Sequence, residues 1–199
     1  MKKYKLIGLT GQSGAGKSEV SSVFSECGAT VLDADEIVAE LYAEGSPCVR
    51  TVAAVFGADV LTSDGTLDRK LLAERAFSSK ENTALLGRIV HPFVTARFFE
   101  LLRDARGTVI YDAPQLFESG ADIICDAVIA VVADKDVRLS RIMKRDGLPE
   151  KQACERIDAQ FSEEYFRERS DYIIENNGDR TELREKARRL RQIIETEVR

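Results

Sequence analysis

The stretch with the clearest chemical meaning is residues 11–18, which read Gly-Gln-Ser-Gly-Ala-Gly-Lys-Ser and fit the pattern G-x-x-x-x-G-K-[ST] at every fixed position. Glycines at this spacing let backbone N–H groups turn inward and hold phosphate oxygens without interference from a Cβ atom. We expect Lys17 to reach the β- and γ-phosphates of a nucleotide and the Ser18 hydroxyl to bind Mg²⁺. A glycine-rich turn that only caps a helix is the less favoured interpretation. The predicted ATP contacts are Gly11, Gly14, Ala15, Gly16, Lys17, Ser18 and Glu19.

Three carboxylates follow predicted strands and could complete a phosphoryl-transfer site. Asp33 and Asp35 lie two residues apart after the second predicted strand, and both side chains point the same way if the segment stays extended. We expect one of the two to cap the helix that follows and the other to be catalytic. Asp112 ends the apolar run 109–111 and is either a Walker B-like carboxylate near the Mg²⁺ or a turn residue.

A basic helical segment further along the chain could close over the phosphates. Arg138, Arg141 and Arg145 recur at three- and four-residue spacing and therefore share one helical face. Such a face is often merely solvated, but between the strands of a phosphate-binding protein we expect at least one of these arginines to clamp a phosphate. Arg141 and Arg145 are the predicted catalytic arginines.

The elements that must position these residues alternate between strands and helices. Apolar runs predict strands at 4–10, 29–32, 108–111, 127–132 and 171–174. The alternation predicts an α/β fold in which helices cover both faces of a doubly wound, parallel, five-stranded sheet of the P-loop NTPase type. The predicted last helix places Leu183, Ala187, Leu190, Ile194 and Val198 on one face.

Two helical insertions interrupt the predicted sheet. Residues 48–106 read as wholly helical, with breaks at Gly57, Asp64-Gly65 and His91-Pro92, and are too many for a single crossover helix. The second insertion, from about 136 to 169, is a candidate lid. We therefore expect a single domain, 1–199, with a core (about 1–45, 106–135 and 170–199), a helical acceptor-binding lobe (about 46–105) and a helical lid (about 136–169).

Composition narrows the classes of function. With a net charge of −5 the chain has no basic surplus to neutralise a nucleic-acid backbone. The apolar run before residue 11 is too short for a signal peptide or a membrane span. Four well-separated cysteines, without a CxxC pair, disfavour a zinc site and suggest reduced thiols. We expect a cytoplasmic monomer that binds neither nucleic acid nor membrane and has no obligate protein partner.

Other P-loop classes fit the chain less well. A switch GTPase would carry DxxG and [NT]KxD motifs, and the nearest candidate, 133–136, places Asp directly beside Lys instead of two residues beyond it. A motor ATPase would need a larger chain and an arginine finger from a neighbour. A nucleoside or nucleoside-monophosphate kinase stays open as the alternative, and a non-enzymatic binding module is less favoured.

A series of short stretches extends this pattern along the chain. After the phosphate motif they are Val31-Leu32-Asp33-Ala34-Asp35, Phe56-Gly57, Asp64-Gly65-Thr66-Leu67-Asp68-Arg69, Ile89-Val90-His91-Pro92, Asp112-Ala113-Pro114-Gln115-Leu116-Phe117-Glu118, Arg156-Ile157-Asp158-Ala159-Gln160 and Ile174-Glu175-Asn176-Asn177-Gly178. In this order, over about residues 5–195, they resemble the dephospho-CoA kinase family. The His-Pro and Pro-x-Leu-Phe-Glu elements are more particular to that family than the phosphate and Asp-x-Asp motifs, which many kinases share.

The resemblance implies that ATP phosphorylates the ribose 3′-hydroxyl of dephospho-CoA, with Mg²⁺ as cofactor, giving ADP and coenzyme A. It also implies a nucleotide-binding core, a helical CoA-binding lobe and a mobile lid. By the same resemblance Asp35 would accept the hydroxyl proton and Asn177 would lie near the adenine of ATP. The acceptor-side candidates are Asp33, His91, Leu116, Glu118 and Gln160.

The sequence departs from the family pattern at two places. Gln12-Ser13 stands where Gly-Ile is usual, at variable positions of the phosphate motif, so we expect no loss of ATP binding. Gln115 stands where Leu is typical and adds a polar group near the acceptor side.

Overall fold

The computed structural model describes residues 3–197, which form nine α-helices and five β-strands. The helices are α1 (Lys17–Glu26), α2 (Ala34–Leu41), α3 (Pro47–Phe56), α4 (Arg69–Ala76), α5 (Lys80–Arg103), α6 (Lys135–Asp146), α7 (Glu150–Asp158), α8 (Glu163–Arg169) and α9 (Arg180–Glu197). The strands are β1 (Tyr4–Gly11), β2 (Thr30–Asp33), β3 (Gly107–Asp112), β4 (Ala127–Val132) and β5 (Tyr172–Glu175). The chain divides into two compact units, a core unit (up to Leu32 and from Ala105 onward) and a helical unit (Asp33–Asp104).

The core unit is built on one sheet with the strand order β2-β3-β1-β4-β5. The central strand β1 runs parallel to both neighbours, with Leu9 opposite Asp112 of β3 and Gly11 opposite Val131 of β4. All six residues of β4 are buried, as expected for a strand covered on both faces. The structure confirms the predicted α/β fold class, and parallel strands bring the residues that follow β1, β3, β4 and β5 to one edge of the sheet.

Apolar side chains at helical spacing fix α1 and α9 to this sheet. Val23 and Phe24 of α1 share one fully buried cluster with Ala187 and Ile194 of α9 and with sheet residues such as Ile129. Burying the larger of these side chains (Val, Ile and Phe) stabilises the fold by about 1.5–3 kcal/mol each. The predicted apolar face of the last helix is confirmed from Leu183 to Ile194, whereas Val198 lies outside the described residues.

The segment predicted as a lid forms three helices, α6, α7 and α8, that belong to the core unit. Its own small cluster joins Ile142 of α6 to Ala153 and Ile157 of α7. The predicted division into core, lobe and lid, with its boundaries, stays a prediction.

The helical unit packs α2 to α5 around a separate apolar cluster, which includes Val52, Phe56, Leu72 and Val90. The chain turns at 45–47 and continues as α3, where the Ser46 side chain accepts a hydrogen bond from the N–H of Val49 (3.1 Å) and caps the helix.

Two predictions for the helical unit are wrong. The expected break at His91-Pro92 does not occur, since α5 continues through Pro92 to Arg103. Proline in a helix interior costs about 3 kcal/mol, and burial of Val90 before it and Phe98 after it offsets that cost. The region 48–106 is also not wholly helical, because Leu61 and Leu67 form an antiparallel bridge around a turn.

No helix formed by residues 3–197 combines the length and the apolar composition needed to cross a membrane.

Candidate active site

The phosphate motif forms a loop between β1 and α1, at the carboxyl edge of the sheet. Gly14 and Gly16 adopt φ values of 81° and 103°, which L side chains rarely adopt. Space also requires glycine at both positions: a Cβ on Gly14 would lie 2.9 Å from the carbonyl oxygen of Arg138, and a Cβ on Gly16 would lie 2.5 Å from Nδ2 of Asn176. The loop is therefore closely surrounded by later parts of the core unit.

The backbone donors of this loop fall into two groups. The N–H of Ser13 donates to Oε1 of Gln160 (2.8 Å), and the N–H of Ala15 donates to the carbonyl oxygen of Gln12 (3.0 Å). In contrast, no acceptor among residues 3–197 receives a hydrogen bond from the N–H groups of Gly14, Gly16, Lys17 and Ser18. Four such donors at a helix N-terminus form a binding site for phosphate oxygens.

Lys17 and Asp112 form an ion pair beside the loop. Lys17 begins α1, and Asp112 ends β3, which is hydrogen-bonded to β1. The side chain of Asp112 is almost fully buried and that of Lys17 is mostly buried. Sequence reasoning placed Asp112 at the Mg²⁺ site or in a turn; the structure puts its carboxylate in contact with the phosphate-motif lysine.

Asp33 and Asp35 have different environments. Oδ1 of Asp33 accepts hydrogen bonds from the N–H groups of Asp35 (2.7 Å) and Glu36 (3.1 Å), so Asp33 caps α2. Asp35 is exposed, and its side chain makes no hydrogen bond or ion pair with residues 3–197. The segment does not stay extended, because the chain turns into α2 at residue 34, so the condition for a shared direction of the two side chains is not met. The expectation that one of the pair caps the helix is confirmed.

The three arginines of α6 are not equivalent. Arg138 is 4% exposed and donates from Nε to the carbonyl oxygen of Ser13 (3.1 Å). Arg141 donates from Nη1 to the carbonyl oxygens of Asn176 (2.9 Å) and Gly14 (3.4 Å). Arg145 lies against Asp146 instead, through two hydrogen bonds of 2.7 and 2.8 Å, and its side chain is 60% exposed.

The pKa shifts agree with these environments. Burial lowers the pKa of the Arg138 guanidinium, because removal from water disfavours its charged form. Hydrogen bonding from Arg145, supported by Arg156, lowers the pKa of the Asp146 carboxyl to about 2.

Three further candidates from the sequence contact other residues of the core unit. Glu19, a predicted ATP contact, forms ion pairs with Arg180 (2.8 Å) and Arg184 (2.5 Å) of α9, and the hydrogen bond from Arg184 lowers the pKa of its carboxyl. Gln160, an acceptor-side candidate, contacts Ser13 of the phosphate loop. Asn177 accepts a hydrogen bond from the N–H of Asp134 (2.8 Å), at the start of α6.

The remaining acceptor-side candidates belong to both units. Leu116 is fully buried against β1, close enough that a Cβ on Gly8 would lie 2.7 Å from its Cδ2 atom. Glu118 is exposed. His91 is exposed on α5 of the helical unit. The structure thus brings together the phosphate loop, Asp112, Arg141 and Gln160 within the core unit.

Asn176 is the residue at this site that sequence reasoning missed. It is 5% exposed, and its Nδ2 donates to the carbonyl oxygen of Ala15 in the phosphate loop (2.6 Å). A signal was present, since a polar amide directly after the apolar strand β5 lies at the sheet edge where the phosphate motif also lies.

Comparison with known proteins adds an independent observation. The family model described as dephospho-CoA kinase matches residues 5–182. The dephospho-CoA kinase of Syntrophotalea carbinolica is 41% identical over 184 residues, which are 90% of this chain and 87% of the relative. That of Corynebacterium diphtheriae is 41% identical over 198 residues, 98% of this chain and 99% of the relative. A solved structure from Thermus thermophilus has a TM-score of 0.84 at 31% identity and covers 96% of this chain and 98% of its own.

Proposed function

Because this chain belongs to the dephospho-CoA kinase family, we propose that it transfers the γ-phosphoryl group of ATP to the ribose 3′-hydroxyl of dephospho-CoA. The products are ADP and coenzyme A, and the reaction is the last step of coenzyme A synthesis. The structural observation that best supports this proposal is the phosphate loop, whose four available N–H donors lie next to the Lys17–Asp112 ion pair. This arrangement supplies the donors and the cation that a transferring phosphoryl group requires.

The phosphate loop positions ATP. The N–H groups of Gly14, Gly16 and the first residues of α1 hold phosphate oxygens at the positive end of the helix. The Lys17 ammonium group contacts Asp112 and, when ATP is bound, also the β- and γ-phosphates. There it stabilises the charge that develops on the transferring group. Gly11, Ala15 and Glu19 are the other proposed ATP contacts.

Two oxygen-bearing side chains at this site are suitable ligands for Mg²⁺. The exposed Ser18 hydroxyl and the Asp112 carboxylate are hard oxygen ligands, and Mg²⁺ in kinases is held by one or two such groups together with substrate phosphates. When bound, the ion neutralises part of the phosphate charge. Ser18 and Asp112 are therefore the proposed metal-binding residues.

Asp35 is the proposed general base. A ribose hydroxyl is a weak nucleophile at neutral pH, and a carboxylate that orients it and accepts its proton assists the attack. The acceptor oxygen bonds to the γ-phosphorus as the bond to the β,γ-bridging oxygen breaks, and the proton passes to Asp35. Asp33 is the weaker candidate, since its carboxylate already caps α2.

The arginines of α6 and the acceptor-side residues complete the proposal. Arg141 is the stronger candidate for stabilising the transition-state charge, because it already contacts the carbonyl oxygen of Gly14. Arg145 is the weaker one, since it is bound to Asp146. Asn177 is proposed to lie near the adenine. The proposed acceptor contacts are Asp33, His91, Leu116, Glu118 and Gln160.

The substrates of the proposed reaction, ATP and dephospho-CoA, are small molecules. We propose that the enzyme works in the cytoplasm as a monomer, without a nucleic acid, a membrane or an obligate protein partner. None of the four cysteines, all of which lie within residues 3–197, is in a disulfide bond.

The experiment is to incubate the protein with ATP, Mg²⁺ and dephospho-CoA and to identify the product by mass spectrometry and ³¹P NMR. The proposal requires coenzyme A carrying a new 3′-phosphate, formed in equal amount to ADP. ATP hydrolysis without an acceptor product, or a phosphate at another hydroxyl, contradicts it.

A further inference from the structure

We propose that Asn176 is a positioning residue for the phosphate loop: its side chain holds the peptide between Ala15 and Gly16 so that the Gly16 N–H points in the direction required to bind phosphate. This inference rests on the proposed binding of ATP and adds a residue to the nucleotide site. Asn176 lies directly after β5, and its own N–H donates to the carbonyl oxygen of Val132 (2.9 Å). The residue is therefore fixed to the end of the sheet and is nearly fully buried.

Contacts on both sides fix the orientation of the Asn176 side-chain amide. Arg141 has only donors, so the end of the amide that faces its Nη2 atom, at 3.4 Å, is the oxygen. The other end, the NH₂ group, then faces the carbonyl oxygen of Ala15 at 2.6 Å, which can only accept. Arg141 also donates to the backbone carbonyl oxygen of Asn176 (2.9 Å), so both residues are held against the loop.

The contact with Ala15 determines where an N–H group of the loop points. The carbonyl of Ala15 and the N–H of Gly16 belong to one planar trans peptide unit and point in opposite directions. A hydrogen bond that holds the carbonyl oxygen against Asn176 therefore turns the Gly16 N–H away from Asn176. That N–H is one of the four loop donors with no acceptor among residues 3–197.

The same contact explains part of the requirement for glycine at position 16. A Cβ there would lie 2.5 Å from Nδ2 of Asn176, so a side chain would displace the amide from Ala15. The contact between Asn176 and Ala15 thus requires glycine at position 16, which is 160 positions away from Asn176 in the sequence.

The neighbouring residue provides a matched control. Asn177 is exposed, and its Oδ1 accepts from the N–H of Asp134 and not from the phosphate loop. Its proposed place is near the adenine, so the two asparagines should differ in which part of the nucleotide they affect.

The experiment measures binding of ADP and of inorganic tripolyphosphate, each with Mg²⁺, by isothermal titration calorimetry. N176A removes the side chain, and N176D keeps its size but replaces the donor with an oxygen. Both variants should bind ADP and tripolyphosphate at least about tenfold more weakly than the wild type, as expected when a buried hydrogen bond is lost. The KM for ATP should rise while the KM for dephospho-CoA stays unchanged. N177A should weaken ADP binding only.

The possible outcomes separate the inference from the proposed function. If the wild type binds ADP and tripolyphosphate and both Asn176 variants, shown to be folded by circular dichroism, bind them within twofold of the wild type, the positioning role is wrong. Weaker binding of ADP alone would also contradict it, because it would place Asn176 at the base. If N176D binds normally and only N176A does not, packing and not the hydrogen bond is responsible, which again overturns the inference. A wild type that binds neither probe would instead refute the proposed function.

Discussion

The ammonium group of Lys17 lies against the carboxylate of Asp112, although the two residues are 95 positions apart in the sequence. Their side chains are 16% and 3% exposed, so little water reaches either charge. The positive charge of Lys17 and the negative charge of Asp112 therefore stabilise each other. Asp112 is held there by the pairing of β3 with β1, and Lys17 by the start of α1. The pair therefore links the stability of the sheet edge to the proposed chemistry.

Replacing Lys17 with methionine should abolish turnover and also destabilise the protein. The substitution removes the charge proposed to hold the transferring phosphate and leaves the Asp112 carboxylate buried without this cation. We expect a loss of about 3 kcal/mol in the free energy of unfolding. Urea unfolding and steady-state kinetics measure the two effects separately.

The double variant K17M/D112N is the control for that prediction. It also removes the carboxylate charge that Lys17 balances in the wild type, so much of the lost stability should return while activity stays absent. A folded K17M protein with near-normal kcat would contradict the assignment of Lys17 to the phosphate site.

Alanine substitutions of Arg141 and Arg145 should have unequal effects. Arg141 contacts the phosphate loop and Asn176, whereas Arg145 is bound to Asp146 at an exposed position. R141A should lower kcat at least about tenfold and should change the KM for dephospho-CoA less, as expected for a group that stabilises transition-state charge. R145A should have the smaller effect. Full activity in both variants would mean that this face of α6 has no catalytic role.

Asp35→Asn should lower kcat by roughly 10²–10⁴-fold with little change in ATP affinity, because the substitution removes the proposed base and keeps its shape. Asp33→Asn is the matched variant: asparagine is also a good helix cap, so α2 should stay intact. Kinetics and ATP titration of the two proteins decide between them. A large loss only in the Asp33 variant would transfer the role to Asp33.

The ion pairs of Glu19 predict a pH-dependent contribution to stability. The hydrogen bond from Arg184 and, more weakly, that from Arg180 lower the pKa of the Glu19 carboxyl below its ordinary value of 4.5, while burial opposes them. The stabilisation is therefore fully present above about pH 4.5 and is lost as the pH falls through the lowered pKa. E19Q should be less stable than the wild type by about 0.5–1 kcal/mol at pH 7.

Urea unfolding without ligands, repeated from pH 7 down to pH 3, measures this difference. It should shrink at the acid end, since the wild-type carboxyl is then protonated. E185Q is the control, because the ion pair that Glu185 forms within residues 3–197 is a long, exposed contact with Arg189 (3.7 Å). A constant difference between E19Q and the wild type at every pH would show that the charge on Glu19 is not responsible.

The parts of this fold that were predictable depend on local patterns. The phosphate motif, the five strands and the cap at the start of α2 each involve residues within a few positions of one another, so spacing and residue type were sufficient. The passage of α5 through Pro92 was not predictable in this way. It depends on apolar contacts between α5 and other helices, which offset the cost of a proline in a helix interior. The proline is visible in the sequence, but these contacts are not.

Contacts at the candidate active site were also not predictable from local patterns. Arg138, Arg141 and Arg145 look alike in the sequence, yet only the first two reach the phosphate loop. Asn176 contacts Ala15 across 161 positions, and Gln160 contacts Ser13 across 147. Such contacts are set by the order of the strands and the packing of α6, and no pattern within one segment contains them.

The central claim is that dephospho-CoA is the acceptor, and a comparison of kcat/KM across acceptors at fixed ATP and Mg²⁺ tests it most directly. Dephospho-CoA, AMP, CMP and free nucleosides are compared by coupled ADP release, with K17M as the inactive control. The account predicts that dephospho-CoA has the highest kcat/KM and that its turnover disappears in K17M. Faster turnover of AMP, CMP or a nucleoside by the wild type would contradict the account and would make the protein a nucleoside or nucleoside-monophosphate kinase.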